Sequence, residues 1–191
     1  MKKLISLILC VILAVSCAAA FAESTPEKED LVTINMHGAF MIKGTLFEGY
    51  KWTLSPESTA SQLVGSFMSD DLTAPVMQLS IALDDSYGDV DRLNDLSDEE
   101  LKVLEATYAV DASVEISYTE TSHGTKLMVA KESGDDRDFV SFFTIYKGHM
   151  IELVLVPGPE AEDPTLTQEQ IDLCVQLLSD MDFVPVENPG E

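Results

Sequence analysis

The chain has 191 residues, of which 34 are acidic and 11 basic, giving a net charge of −23 at pH 7. So negative a protein stays soluble and repels phosphate backbones and anionic lipid headgroups, which excludes nucleic acid and acidic membranes as partners. The groups it attracts are basic or metal-bearing, although charge on this scale serves solubility first.

Residues 1–22 read as a secretory signal peptide. Lys2 and Lys3 form a positive start, residues 4–15 are apolar except for Ser6, and Ala20-Phe21-Ala22 offers a small-x-small cleavage site between Ala22 and Glu23. A membrane anchor is the competing reading, since the apolar stretch approaches the ~20 residues of a spanning helix. Glu23, Glu27, Glu29 and Asp30 follow it, however, where a basic stop-transfer cluster would stand. A third reading is a lipoprotein: Ala14-Val15-Ser16-Cys17 is a degenerate lipobox that would be cut to leave an acylated Cys17. Release is the expectation, placing the protein in a secreted or extracytoplasmic location, with lipid anchoring at Cys17 as the alternative.

Cleavage at Ala22 removes two lysines and no acids, so nine bases face 34 acids and the net charge falls to −25. It also removes Cys10 and Cys17, leaving Cys174 alone. No internal disulfide and no cysteine-rich metal cage can then form, and an apolar core must hold the fold. Residues 23–30 read as a flexible polar leader, 31–187 as a single domain and 188–191 as a tail.

Taken in order, the apolar patterning predicts strands over 31–36, 40–47 and 50–54, the last ending at the turn signal Ser55-Pro56-Glu57-Ser58. Further strands are expected over 62–68 and 76–83, with Met77, Leu79, Ile81 and Leu83 on one face of the latter. Leu96-Ser97-Asp98-Glu99-Glu100-Leu101 then opens a helix: Ser97 and Glu100 form a capping box, and Leu96 and Leu101 a hydrophobic staple. This helix should reach about Val110. Four strands follow, over 114–119, 125–131, 139–146 and 150–156, the last two joined by Lys147-Gly148. Leu166-Thr167-Gln168-Glu169-Gln170-Ile171 repeats the helix-start device with Thr167 and Gln170, and this second helix should run to about Met181.

Strands 139–146 and 150–156 carry apolar residues at odd and even positions alike, so both faces of the pair need covering. A tight turn between them makes the pair antiparallel. The two helices are the available covers. The expected fold is therefore α+β: a central, mostly antiparallel sheet with two amphipathic helices packed on it, an α/β/α-type sandwich.

Three segments carry a resemblance: Gly49-Tyr50-Lys51-Trp52-Thr53-Leu54-Ser55-Pro56 as an opening strand, the hairpin 142–156 and the closing segment 166–183. In the order and spacing of elements over residues 45–187, the chain resembles the PsbP-like fold family, which includes many exported bacterial proteins of unknown role. The resemblance implies a binding or accessory protein and carries no catalytic motif. The apolar segment 31–47 lies outside the shared pattern.

The residues that could carry chemistry are few. His37, His123 and His149 show no His-x-x-His or His-Glu-x-x-His spacing, so a zinc hydrolase has no support. Cys174 sits on the apolar face of the closing helix without a basic neighbour, which makes it a buried hydrophobe rather than a reactive thiol. No nucleophile elbow, P-loop or dinucleotide fingerprint appears. The densest cluster of oxygen ligands is the acidic stretch with Asp84, Asp85, Asp89 and Asp91. These are candidate calcium ligands, although Leu93 falls where an EF-hand loop places its fifth-position ligand; the competing reading is a solvated connection. No other cofactor is expected. The leading expectation is a non-enzymatic, exported, acidic binding or accessory module, whose partner is a protein or a cell-envelope component. A carboxylate-based extracellular hydrolase and a calcium-binding accessory protein are the alternatives. Tyr50 and Trp52 are the aromatics to inspect as a binding surface.

Overall fold

The computed structural model describes residues 31–36, 40–45, 49–59, 61–109, 113–133, 138–163, 165–180 and 182–185. The cleavage site at Ala22 and Glu23, the lipidation candidate Cys17 and His37 lie outside the described residues.

Among the described residues ten strands and two α-helices follow one another: β1 (Leu31–Met36), β2 (Phe40–Thr45), β3 (Tyr50–Leu54), β4 (Gln62–Ser69), β5 (Val76–Leu83), α1 (Asp98–Tyr108), β6 (Val114–Glu120), β7 (Lys126–Glu132), β8 (Phe139–Tyr146), β9 (His149–Val156), α2 (Gln168–Asp180) and β10 (Asp182–Pro185). Seven of the strands form one sheet in the order β3-β4-β5-β9-β8-β7-β6, and every neighbouring pair in it is antiparallel. The fold is α+β. Two meanders, β3-β4-β5 and β6-β7-β8-β9, meet at the central β5–β9 pair, and α1 lies on the connection between them.

The early apolar segment is not part of this sheet. β1, β2 and β10 form a separate three-stranded antiparallel sheet in the order β1-β2-β10. The segment after the second helix, Asp182–Pro185, is a strand that returns to pair with β2. Ile42 of β2 and Phe183 of β10 join the core under α2, and the ring of Phe183 stacks on Tyr146 at 5.0 Å.

Each face of the large sheet has its own apolar cluster. On one face, Leu166, Ile171, Cys174, Leu177 and Leu178 from α2 and its approach pack on Leu63, Phe67, Met77, Leu79, Phe142 and Leu153. On the other, Leu101 and Leu104 of α1 and Leu93 before it pack on Met128, Phe143 and Ile145. The doubly apolar strands β8 and β9 thus receive a helix on each side, which satisfies their sequence pattern.

Local signals explain where the helices start. Ser97 Oγ accepts from Glu100 N at 3.4 Å, and Glu100 Oε2 accepts from Ser97 N at 2.8 Å. The Ser97 hydroxyl, which donates to Glu100 Oε2 at 2.7 Å, and then the Ser97 N–H hold the Glu100 carboxyl below the usual range. At α2, Gln170 Oε1 accepts from Thr167 N at 2.9 Å, and Thr167 Oγ1 accepts from Gln170 N at 3.3 Å. Both reciprocal caps occupy donors that a helix start leaves open. The β8–β9 turn places Lys147 at φ 48° and Gly148 at φ 72°. Two successive positive φ values are what a type I′ hairpin turn requires.

Candidate functional site

Because opposed residues of an antiparallel pair share a face, strand register decides which side chains meet. Ser66 of β4 pairs with Gln78 of β5, Gln78 with Val154 of β9, and Val154 with Ser141 of β8. One step along, Ser80 pairs with Glu152, and Glu152 with Phe143. Ser66, Gln78, Ser80, Glu152 and Ser141 therefore form a polar patch across four strands, about 14 Å wide at the usual strand spacing. It lies on the face that α1 covers over β7, β8 and β9. Among the described residues no helix joins the β3–β4–β5 part of that face to an apolar cluster.

Glu152 is the centre of the patch. It is deeply set yet still reached by solvent, and burial pushes its carboxyl above the usual range. The hydroxyls of Ser141 and Tyr108 approach it and oppose that shift. Tyr108, at the last turn of α1, lies over Phe143 with ring centroids 5.5 Å apart. Burial, and secondarily Glu152 itself, raises the Tyr108 phenol far above its ordinary value, so it stays protonated and can donate. Gln78 is 7% exposed, and among the described residues its buried Oε1 has no hydrogen-bond partner. Buried polar atoms are rarely left so, because the loss of hydration goes uncompensated.

The acidic stretch has a different place. Asp85, Asp89 and Asp91 are exposed, and Asp84 caps a short 3-10 turn by accepting from Ser86 N at 2.8 Å. Among the described residues no three of the aspartate, glutamate, histidine or cysteine side chains are grouped to hold a metal ion. The structure does not gather Asp84, Asp85, Asp89 and Asp91 into a site. Instead the stretch docks by its main chain on the β8–β9 turn: Gly148 O accepts from Asp84 N, Asp91 O from Lys147 N, and Val90 O from Gly148 N, at 3.2, 2.8 and 2.9 Å. A side chain at Gly148 would meet Gly88 main-chain atoms at 3.2–3.3 Å, so the loop also needs that glycine for its close approach.

The aromatics at β3 both make contacts within the sheet. Trp52 is half-buried and packs tilted against Phe67 with ring centroids 4.8 Å apart, and the Tyr50 hydroxyl donates to Pro75 O at 2.8 Å. Cys174 is fully buried and desolvation pushes its thiol up, as its apolar neighbours lead one to expect. His123 is exposed in a turn, and His149 Nδ1 lies 2.8 Å from Lys147 O.

A concavity of about 520 Å³ lies between the start of α2 and strands β6, β7 and β8. Val129, Val140 and Ile171 give it apolar walls, and Glu115, Lys131 and Gln168 give it a polar rim of mixed sign. β6 is an edge of the large sheet, and its exposed Glu115 and Glu120 blunt that edge against pairing.

Sequence reasoning missed the Glu152 patch. The signal was present as one acid inside the apolar run Met150-Ile151-Glu152-Leu153-Val154, and as Gln78 and Ser80 alternating with Met77, Leu79 and Ile81.

No protein-family model matches the chain. No curated protein matches it either. Among solved structures, a crystal structure from Bacteroides thetaiotaomicron is similar over 78% of this chain and 46% of its own, at 12% identity and a TM-score of 0.41. The chain thus spans about half the length of that protein.

Proposed function

We propose that the chain is an exported, acidic, non-enzymatic binding module that meets a protein or a cell-envelope component through the polar patch around Glu152. One observation carries this reading: among the described residues the strand neighbours of Glu152 are Ser80 and Phe143 directly across and Gln78 and Ser141 on the diagonals, and none of them is an acid. A carboxylate-based hydrolase works with two acids roughly 5–9.5 Å apart, one donating a proton and one attacking or activating water. The patch offers hydroxyls and an amide where the second acid would stand, and these are recognition groups. The PsbP-like order of elements fits an accessory role, and is itself a proposal resting on the opening strand β3, the β8–β9 hairpin and the closing α2–β10 segment.

A thermal-shift screen of the purified protein and its Glu152→Gln variant, against small amines, sugars, amino acids and organic acids, tests the reading. A ligand at a hundred times its Kd stabilises by about 2.7 kcal/mol, a rise of roughly 5–10 °C in a domain of this size. The expected result is such a rise for one chemical class in the parent and its loss in the variant. Silence across the screen, or turnover of a glycoside or peptide substrate that Glu152→Gln abolishes, would overturn it.

A further inference from the structure

We infer that the concavity beside the start of α2 is a binding site for a zwitterionic α-amino acid with an apolar side chain. The site is separate from the Glu152 patch. Glu152 shares its face with Phe143 of the α1 cluster, whereas Val140 and Ile171 of the concavity belong to the α2 cluster. Strand register builds the floor. Glu115 of β6 is opposite Lys131 of β7, and Lys131 is opposite Val140 of β8. Two residues along β7, Val129 continues the same face. Among the described residues the apolar cluster under α2 takes Val129 and Val140 but no residue of β6. The edge of the sheet therefore projects past the helix, and the step between them is the open volume of about 520 Å³. Small-molecule sites span roughly 300–1,000 Å³.

The charges around this space are unusual for so acidic a chain. Glu115 and Lys131 both line it and stand in register, yet they form no ion pair with each other. Lys131 is half-buried and Glu115 exposed, and among the described residues the ion pair formed is Lys51–Asp70, far along the sheet order at β3 and β4. Opposite charges facing each other across a strand pair ordinarily attract. Left apart beside an apolar space, they offer one cationic and one anionic contact side by side. Gln168, in the first turn of α2, adds a third polar group. Its Nε2 donates to Asp172 Oδ1 at 2.8 Å, which leaves Gln168 Oε1 to accept from a ligand.

The chemistry that fits carries both signs of charge on one small frame with an apolar arm. An α-amino acid holds its ammonium, its carboxylate and its side chain on a single carbon. The carboxylate meets Lys131, the ammonium meets Glu115 and Gln168 Oε1, and the side chain lies against Val129, Val140 and Ile171. Each polar contact is then a charge-assisted hydrogen bond, stronger than a neutral one. A carboxylate without an ammonium is repelled by the net charge of −23 and leaves Glu115 unmatched. An alkylammonium without a carboxylate is drawn by that charge but meets Lys131 with the same sign. A zwitterion is neutral overall and escapes both penalties. A polar side chain would lose its hydration on the apolar walls without a partner there.

The test is calorimetric titration of the purified protein with L-leucine at neutral pH and constant ionic strength. Three partial matches run beside it: 4-methylpentanoate without the ammonium, 3-methylbutylammonium without the carboxylate, and glycine without the apolar arm. The expected result is saturable leucine binding, at least about tenfold tighter than that of any partial match. It should weaken at least about tenfold in Lys131→Gln and several-fold in Glu115→Gln, as the loss of one charged hydrogen bond in each would give. Lys102→Gln, which removes the same charge from an exposed position on α1, should bind leucine as the parent does. Far-ultraviolet circular dichroism checks that the variants fold. Leucine binding that is unchanged in both Lys131→Gln and Glu115→Gln overturns the inference, as does 4-methylpentanoate or 3-methylbutylammonium binding as tightly as leucine. Absence of saturable leucine binding up to tens of millimolar overturns it as well, and leaves the reading of the Glu152 patch to its own screen.

Discussion

Gly65 on β4 faces Trp52 across the β3–β4 pair, and an alanine there tests whether the edge of the large sheet is packed as described. A Cβ at Gly65 would lie 2.5 Å from Trp52 Cζ2 and 2.8 Å from Thr53 O, both inside ordinary contact distance. Thr53 O belongs to the paired main chain of β3 and cannot retreat alone, so the indole must swing away. Overpacking of this kind costs about 1–3 kcal/mol. Moving the indole also gives up its tilted stack on Phe67, at 4.8 Å and 45°, for another ~0.5–1.5 kcal/mol. Gly65→Ala should therefore lose about 2–4 kcal/mol, enough to shift a denaturation midpoint while leaving the domain folded. Trp52 is the sole tryptophan, so its emission reports both the displaced ring before unfolding and the midpoint itself. In a Trp52→Leu background the same alanine should cost at least ~1 kcal/mol less, a coupling that a double-mutant cycle reads directly. An unchanged midpoint and native emission in Gly65→Ala, or an equal cost in both backgrounds, would refute the packing argument.

Three further outcomes follow from the structure. Cys174 is fully buried with its thiol pushed up by desolvation, so a thiol-specific reagent should label it only at the rate of unfolding; rapid labelling of native protein would contradict its place under α2. Calcium titrated to millimolar levels should be silent by calorimetry at Asp84, Asp85, Asp89 and Asp91, whose loop spends its main-chain groups on the β8–β9 turn; heat lost on Asp89→Asn would show otherwise. Burial raises the folded Glu152 carboxyl above its unfolded value of 4.5, so the native state keeps a proton that the unfolded chain has already released. Stability relative to Glu152→Gln should then fall as pH rises from the unfolded value to the folded one and level off above it. Urea midpoints of the two proteins from about pH 4 to pH 8 would show this, and a constant difference would refute it.

Much of the fold is legible in the sequence because its signals are local. The caps Ser97–Glu100 and Thr167–Gln170 are written within four residues, and both form. The Lys147-Gly148 turn and the apolar runs beside it announce a buried hairpin, which lies at and beside the centre of the sheet. The second sheet was less visible. β10 is four residues long and finds its partner β2 roughly 140 positions earlier in the chain, and no local pattern encodes a pairing across that separation.

The site was hidden for the same reason. Acids are dense along the chain at Asp84, Asp85, Asp89 and Asp91, yet density in sequence is also what a solvated loop looks like. Glu152 stands alone in an apolar strand, and Gln78, Ser80, Ser66 and Ser141 are each unremarkable in their own segments. Only the register that places β4, β5, β9 and β8 side by side turns five scattered residues into one patch. A polar residue at an inward position of a strand costs stability unless something compensates it. Tyr108 and Ser141 do so in part for Glu152, and nothing among the described residues does so for Gln78 Oε1. That imbalance, rather than the number of acids on the surface, distinguishes the Glu152 patch from the rest of a uniformly acidic chain.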